Sequence, residues 1–190
     1  MIKSRLDIIQ HLINHFKYKS YLEIGVRSSG PTWNQIQCEV KDGVDPVGGA
    51  ANYKMTSDTF FNSIDKDKKW DLIFVDGWHE KIQVLRDIEN GFKHLNEGGT
   101  IVCHDINPPE AIFLRPSRCH NAWETFATLR ATRSELEMFA LPIDYVGVIR
   151  KGSQTLYEKP IEFTWDYLDT HRTELLNVIT IEQFKEKYPL

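Results

Sequence analysis

The stretch Asp71 to Asp76 sets the unbroken apolar run Leu72, Ile73, Phe74, Val75 between two aspartates. Such a run suits a strand covered on both faces, as in a parallel sheet, where the usual polar alternation is lost. Gly77, Trp78 and His79 follow. Ile82, Leu85, Ile88, Phe92 and Leu95 then recur at helical spacing. The spacing predicts a helix with these five on one face, ended by Glu97-Gly98-Gly99. Thr100 to Cys103 reads as another buried strand, closed by His104-Asp105. Parallel strands need a crossover connection, usually a helix, so this unit alone implies an α/β sheet with helices on its faces.

The rest of the chain extends the same pattern. Ile2, Leu6, Ile9, Ile13 and Phe16 share one helical face, with Ser4 and Asp7 spaced as a capping box. Tyr21 to Val26 is the expected first strand, and Thr32 to Ile36 a short helical stretch. Gly43-Val44-Asp45 ends the second strand before Pro46 and Gly48-Gly49 break the chain. Tyr53 to Met55 is read as a third, very short strand, which makes Asp71–Asp76 the fourth and Thr100–Cys103 the fifth. Thr56 or Ser57 caps the helix carrying Phe60 and Phe61. Asn107 to Asn121 is Pro-rich and irregular, and Ala122 to Leu129 helical. Leu136 to Leu141 and Tyr145 to Ile149 lie close enough to pair antiparallel. Two helical pieces form the tail over 160–190, the second starting at Thr180 with Gln183 completing a capping box. The 190 residues suit one domain (1–18 a helix, 21–150 the core, 160–190 the tail).

Charge and cysteines narrow the function. The net charge is −4 with no block of Lys or Arg, so no basic face marks a nucleic-acid partner. No run of about 18 apolar residues reads as a membrane span, and the opening residues do not read as a signal peptide. Three cysteines, without a metal-type pair, fit a reducing, cytoplasmic compartment.

Ligands of open α/β sheets bind outside the carboxyl ends of the strands. Small and acidic residues gather at that edge. Glu23, Gly25, Ser28, Ser29 and Gly30 follow the first strand, Asp45 the second, Ser57 and Asp58 the third. Asp76, Gly77, Trp78 and His79 follow the fourth, and His104, Asp105 and Asn107 the fifth. Gly25 and Gly30 allow tight turns and close backbone approach. Asp45 suits the hydroxyls of a ribose, as an acid at this place does in nucleotide-binding folds. Ser57 and Asp58 suit the edge of an adenine. Singly, each has a blander account: a turn, an Asx bend, a helix cap. Their joint order along one chain carries the argument.

That order resembles the class I S-adenosylmethionine (SAM) methyltransferases. It is similar to a small branch with D-x-x-F-x-D-G-x-H on the fourth strand (Asp71 to His79) and H-D after the fifth (His104-Asp105). Tyr21-Leu-Glu23-Ile-Gly25 is similar to the family's E-x-G motif, and the resemblance runs from about Tyr21 to Arg150. It implies a Rossmann-like fold, a mostly parallel seven-stranded sheet with helices on both faces and one antiparallel strand, the last. It implies Glu23, Gly25, Ser29, Gly30 and Gly77 on the cofactor side, Asp45 at the ribose, Ser57 and Asp58 at the adenine, and Asp76 at the methionine end or acceptor. Ser29 stands where the family often has a second Gly.

The resemblance implies O-methylation of a hydroxyl on a small molecule or a sugar. Such a hydroxyl needs a base or a metal to take its proton. Asp76, His79, His104 and Asp105 are the catalytic candidates. Related enzymes hold Mg²⁺ with an Asp after the fourth strand and a pair after the fifth. Asp76 and Asp105 match two of those places; Ile106 occupies the third, with Asn107 one residue beyond. Phe113, Arg115 and Arg118 of the irregular segment are expected over the acceptor, with Trp78 and Trp123 as walls. The first helix and the tail either offer a face to a second copy, a homodimer, or cover the sheet. A dinucleotide oxidoreductase is disfavoured, because Gly25-Val26-Arg27 breaks the required G-x-G. A non-catalytic domain that binds SAM is the alternative reading.

Overall fold

The computed structural model describes residues 1–27 and 30–190; Ser28 and Ser29 lie outside the described residues. The strands are β1 (Ser20–Ile24), β2 (Val40–Val44), β3 (Trp70–Val75), β4 (Leu95–Cys103), β5 (Leu136–Ala140) and β6 (Gly147–Lys151). The helices are α1 (Arg5–Phe16), α2 (Ser57–Ser63), α3 (Lys81–Lys93), α4 (Ala122–Thr132), α5 (Trp165–Leu175) and α6 (Ile181–Lys187). One sheet runs in the order β2-β1-β3-β4-β6-β5. β2, β1, β3 and β4 pair in parallel, and β6 lies antiparallel between β4 and β5. The last strand is therefore the reversed one, as expected.

Strand alternation divides the core into two layers. Leu22, Ile24, Ile73, Val75, Ile101 and Cys103 face Phe60, Ile88, Phe126 and Leu168 from α2, α3, α4 and α5. Tyr21, Leu72, Phe74 and Val102 point the other way, onto Ile8, Ile9 and Leu12 of α1 and Phe184 of α6. The apolar faces of α1 and α6 are thus spent on the sheet. Both expected capping boxes, Ser4 with Asp7 and Thr180 with Gln183, are formed. No helix among the described residues is long and apolar enough to cross a membrane.

Several expectations need correction. Among the described residues the sheet has six strands, not seven. Tyr53 makes one isolated bridge to Val44, because the break at Pro46 to Gly49 leaves too little chain before Thr56 caps α2. Thr32 to Ile36 forms turns rather than a helix, since so short a segment cannot repay helix nucleation. On α3 the buried stripe is Val84, Ile88 and Gly91, while Ile82 and Leu85 are exposed. A Cβ at Gly91 would stand 3.3 Å from Ile101 Cδ1, so the bare glycine lets α3 settle on the sheet. β4 starts at Leu95, ahead of Thr100, with a register shift opposite Trp70 and Leu72 and Gly98 at φ 73°. Tyr145 lies at φ 58°, a left-handed conformation that delays β6 to Gly147.

Candidate active site

The parallel ladder aims the loops. Gly25 N–H donates to Val44 O (2.8 Å), Asp76 N–H to Ile24 O (2.8 Å) and His104 N–H to Val75 O (2.9 Å). The chain therefore leaves β1, β3 and β4 side by side, with residues 25, 76 and 104 at one edge. Gly25 has φ 92°, and a Cβ there would fall 2.0 Å from Asp76 O, so only glycine lets the two loops touch.

Two cavities open at this edge. The larger, about 430 Å³, is lined by Ile24, Gly25, Asp45, Ser57, Asp58 and Gln83, among others. The smaller, about 130 Å³, is lined by His79, His104, Asp105, Arg5, Arg118 and Tyr145, among others. Arg27 and Asp76 line both.

Asp45 is spread over its loop: Oδ1 accepts from Val47 N–H (2.8 Å) and Gly48 N–H (2.5 Å), and Oδ2 from Arg27 N–H (2.9 Å). Thr56 is the N-cap of α2, leaving the Ser57 and Asp58 side chains to the cavity. Gln83 Nε2 joins them from α3, donating to Ser57 Oγ and Asp58 Oδ1 (3.2 Å each) and to Asp87 Oδ1 (3.1 Å). Burial pushes the Asp87 carboxyl up to about 6.

The smaller pocket concentrates charge. His104 Nδ1 lies 3.0 Å from Asp76 Oδ1 and 3.1 Å from Asp105 Oδ2; His79 Nδ1 is 3.0 Å from the same Asp105 oxygen. Despite those distances, His104 Nδ1 and Asp105 Oδ2 are buried without an aligned hydrogen bond. His79 Nδ1 also meets Arg118 O at 2.5 Å. Both neighbours of that nitrogen are acceptors, so it carries the proton and leaves the Nε2 lone pair free, 3.8 Å from Asp76 Oδ1. Arg5 enters from the start of α1, with Nε donating to Thr32 Oγ1 (3.2 Å) and Nη1 2.6 Å from His104 Nε2. A guanidinium only donates, so in this arrangement His104 Nε2 accepts and its proton sits on Nδ1. Burial opposes charge on His104, but Asp76, Asp105 and Asp144 outweigh it and hold its pKa well above the ordinary imidazole value. Charging the ring therefore requires Arg5 to give way. Burial also opposes the Asp105 charge, yet His104 and His79 hold its carboxyl well below the usual range. Asp105 has φ 62°, a strain that clusters at functional sites.

Residues 19–106 match the family model for a methyltransferase domain. No curated protein matches the chain. Solved structures share its fold at low identity. An O-methyltransferase from Bacillus cereus, in complex with S-adenosylhomocysteine (SAH), is 16% identical over 77% of this chain and 79% of that one, with a TM-score of 0.55. The SAH-bound methyltransferase of Podospora anserina is 19% identical over 80% of each chain, with a TM-score of 0.53. The Streptomyces achromogenes O-methyltransferase TomG, involved in tomaymycin synthesis and in complex with SAM, is 13% identical over 76% and 78%, with a TM-score of 0.54.

The structure brings Gly25, Asp45, Ser57, Asp58, Asp76 and Gly77 to the larger cavity. Asp76, His79, His104 and Asp105 meet at the smaller one. Glu23 is elsewhere. It is buried under the edge, accepting from Tyr21 Oη–H at 2.6 Å, and does not line the cavity. Gly30 packs toward Ala50 and Asn34, and Ser29 lies outside the described residues. Asn107 is turned away, its Nδ2 donating to Leu141 O and its Oδ1 accepting from Arg172, while Ile106 is core. The third group beside Asp76 and Asp105 is instead His79, and one ligand atom from each lies within 4.8 Å of the others. Phe113 and Arg118 line the smaller pocket, Arg115 does not, Trp78 lines the larger cavity and Trp123 is core. Sequence reasoning missed Arg5, Gln83, Asp144 and Tyr145. Only Gln83 left a trace, as a polar residue one turn into the helix after His79.

Proposed function

We propose that this domain transfers the methyl group of SAM to a hydroxyl of a small acceptor, a metabolite or a sugar, in the cytoplasm. One observation carries the reading: the larger cavity and the charged pocket share Arg27 and Asp76, so a cofactor in the first meets an acceptor in the second. Methyl transfer from a sulfonium is an in-line displacement. The acceptor oxygen bonds to the methyl carbon as the carbon–sulfur bond breaks and its electron pair returns to sulfur. The domain's main task is to align the two. The hydroxyl proton must also leave, and His79 Nε2 carries the free lone pair for it.

Asp76, His79 and Asp105 fit a divalent cation. They offer two carboxylates and an imidazole, an Asp105 oxygen lacks an aligned donor, and the His79 proton is held on the far nitrogen by Arg118 O. With the cation bound, His79 Nε2 would be a ligand rather than the base, and the cation would instead lower the pKa of a hydroxyl beside it. The imidazole suits Mn²⁺ or Zn²⁺ as well as Mg²⁺, which prefers oxygen donors.

Isothermal titration with SAH tests the reading. Micromolar binding by the wild type, lost in Asp45→Ala, is the expected result. A wild type that gives no heat with SAH would sink it. Acceptor turnover with and without a chelator then decides the metal.

A further inference from the structure

We infer that the acceptor carries an anionic group, a carboxylate or a phosphate, bound between Arg27 and Arg118. This rests on the methyltransferase reading of the same site and names the class of its substrate.

Both arginines line the pocket that holds Asp76, His79 and Asp105. Neither makes an ion pair among the described residues. Arg5, Arg86, Arg133 and Arg172 each stand beside a carboxylate, Arg130 donates to Gln154 and Arg150 to Thr100 and Gly98 O, and Arg115, also without an ion pair, does not line this pocket. The chain as a whole is acidic, at −4, so a surface arginine has carboxylates to choose from. Two without one at the mouth of one small pocket are set for an outside anion.

Arg118 is also held in place. Its guanidinium carbon lies 4.5 Å from the centre of the Phe113 ring, and Phe113 packs against Tyr145 at 5.3 Å. A guanidinium stacked on a ring keeps its donor edge free and surrenders little further entropy on binding an oxyanion. The carbonyl of Arg118 accepts from His79 Nδ1–H, which ties this residue to the reacting end of the pocket. Arg27 is fixed at its backbone, with φ 60° and its N–H on Asp45 Oδ2. Arg27, Asp105 and Tyr145 all line this pocket in left-handed conformations, though none is glycine. Strain of that kind persists where the surroundings impose it, as at ligand clamps. Arg5 does not serve as the clamp, since His104 and Thr32 already engage it. The two aspartates lie deeper, so an acceptor would offer its hydroxyl to them and its anionic group to the arginines.

The test is titration of cofactor-free and SAH-saturated protein with 4-hydroxybenzoate, 4-hydroxyphenyl phosphate and the neutral 4-hydroxybenzyl alcohol. At least one anionic probe should bind about tenfold or more tightly than the alcohol, as charge-assisted bonds exceed neutral ones. Arg118→Ala and Arg27→Ala should each abolish most of that preference, and Arg118→Lys should restore part of it. Wild-type protein that binds no anion more tightly than the alcohol overturns the inference. So does a preference that survives both alanine variants. If SAH gives no heat but the anion preference is present and arginine-dependent, the cofactor reading fails and the anion site stands.

Discussion

Replacing Glu23 by glutamine isolates the energy of a buried carboxylate. Glu23 is 1% exposed, between Tyr21 and Asp76 under the edge of the sheet. Burial is the main influence and, with the field of Asp76, raises its pKa from an ordinary 4.5 to about 8. The folded protein therefore keeps a proton on Glu23 between those values while the unfolded chain loses it. Stability is fully present below 4.5, falls as pH rises through the window, and levels off above 8. Linkage over these two values gives a loss of about 3 kcal/mol between pH 5.5 and pH 8.5 from this one group. Glutamine keeps an oxygen to accept from Tyr21 Oη–H but has no proton to lose. Urea unfolding of cofactor-free wild type and Glu23→Gln at both pH values reads the difference. Asp87 titrates in both proteins, so its contribution cancels. The variant should gain on the wild type by about 3 kcal/mol on going to pH 8.5. A stability difference that stays constant with pH would refute the buried, protonated Glu23.

Two substitutions probe the edge of the sheet itself. Gly25→Ala forces a Cβ to 2.0 Å from Asp76 O at φ 92°, and should lower unfolding stability by about 2 kcal/mol or more; an unchanged urea midpoint would mean the two loops do not touch. Asp105→Asn keeps a residue type that tolerates φ 62° but removes the charge between His79 and His104. With a working acceptor, turnover should fall by about 10²-fold or more while SAH affinity stays within about twofold, and undiminished turnover would remove Asp105 from the chemistry.

What the sequence made legible followed from local rules. The run Leu72 to Val75 has one sensible placement, a strand covered on both faces, and its neighbours in chain order carry Asp45, Asp76 and Asp105 to the same edge. The two capping boxes are written in four consecutive residues each, so they too could be read directly. Features that were not legible depend on packing between distant segments. Glu23 looks like a ligand-facing acid in sequence. Only the fold shows Tyr21 two residues earlier turned back onto it, and Asp76 close enough to help hold its proton. Tyr53 is itself a strand former, yet the chain left between Pro46 and α2 allows it one bridge. Arg5 reads as a charge on the first turn of a surface helix. Its guanidinium reaches His104, 99 positions along the chain, and its backbone N–H donates to Asp144, 139 positions along. No periodicity encodes such a meeting. It arises because the buried stripe of α1 fixes the helix against Tyr21, Leu72 and Phe74, which leaves the start of α1 over the carboxyl ends of β3 and β4. The same packing that covers the sheet thus supplies the cation beside its aspartates, and sets it against the histidine between them.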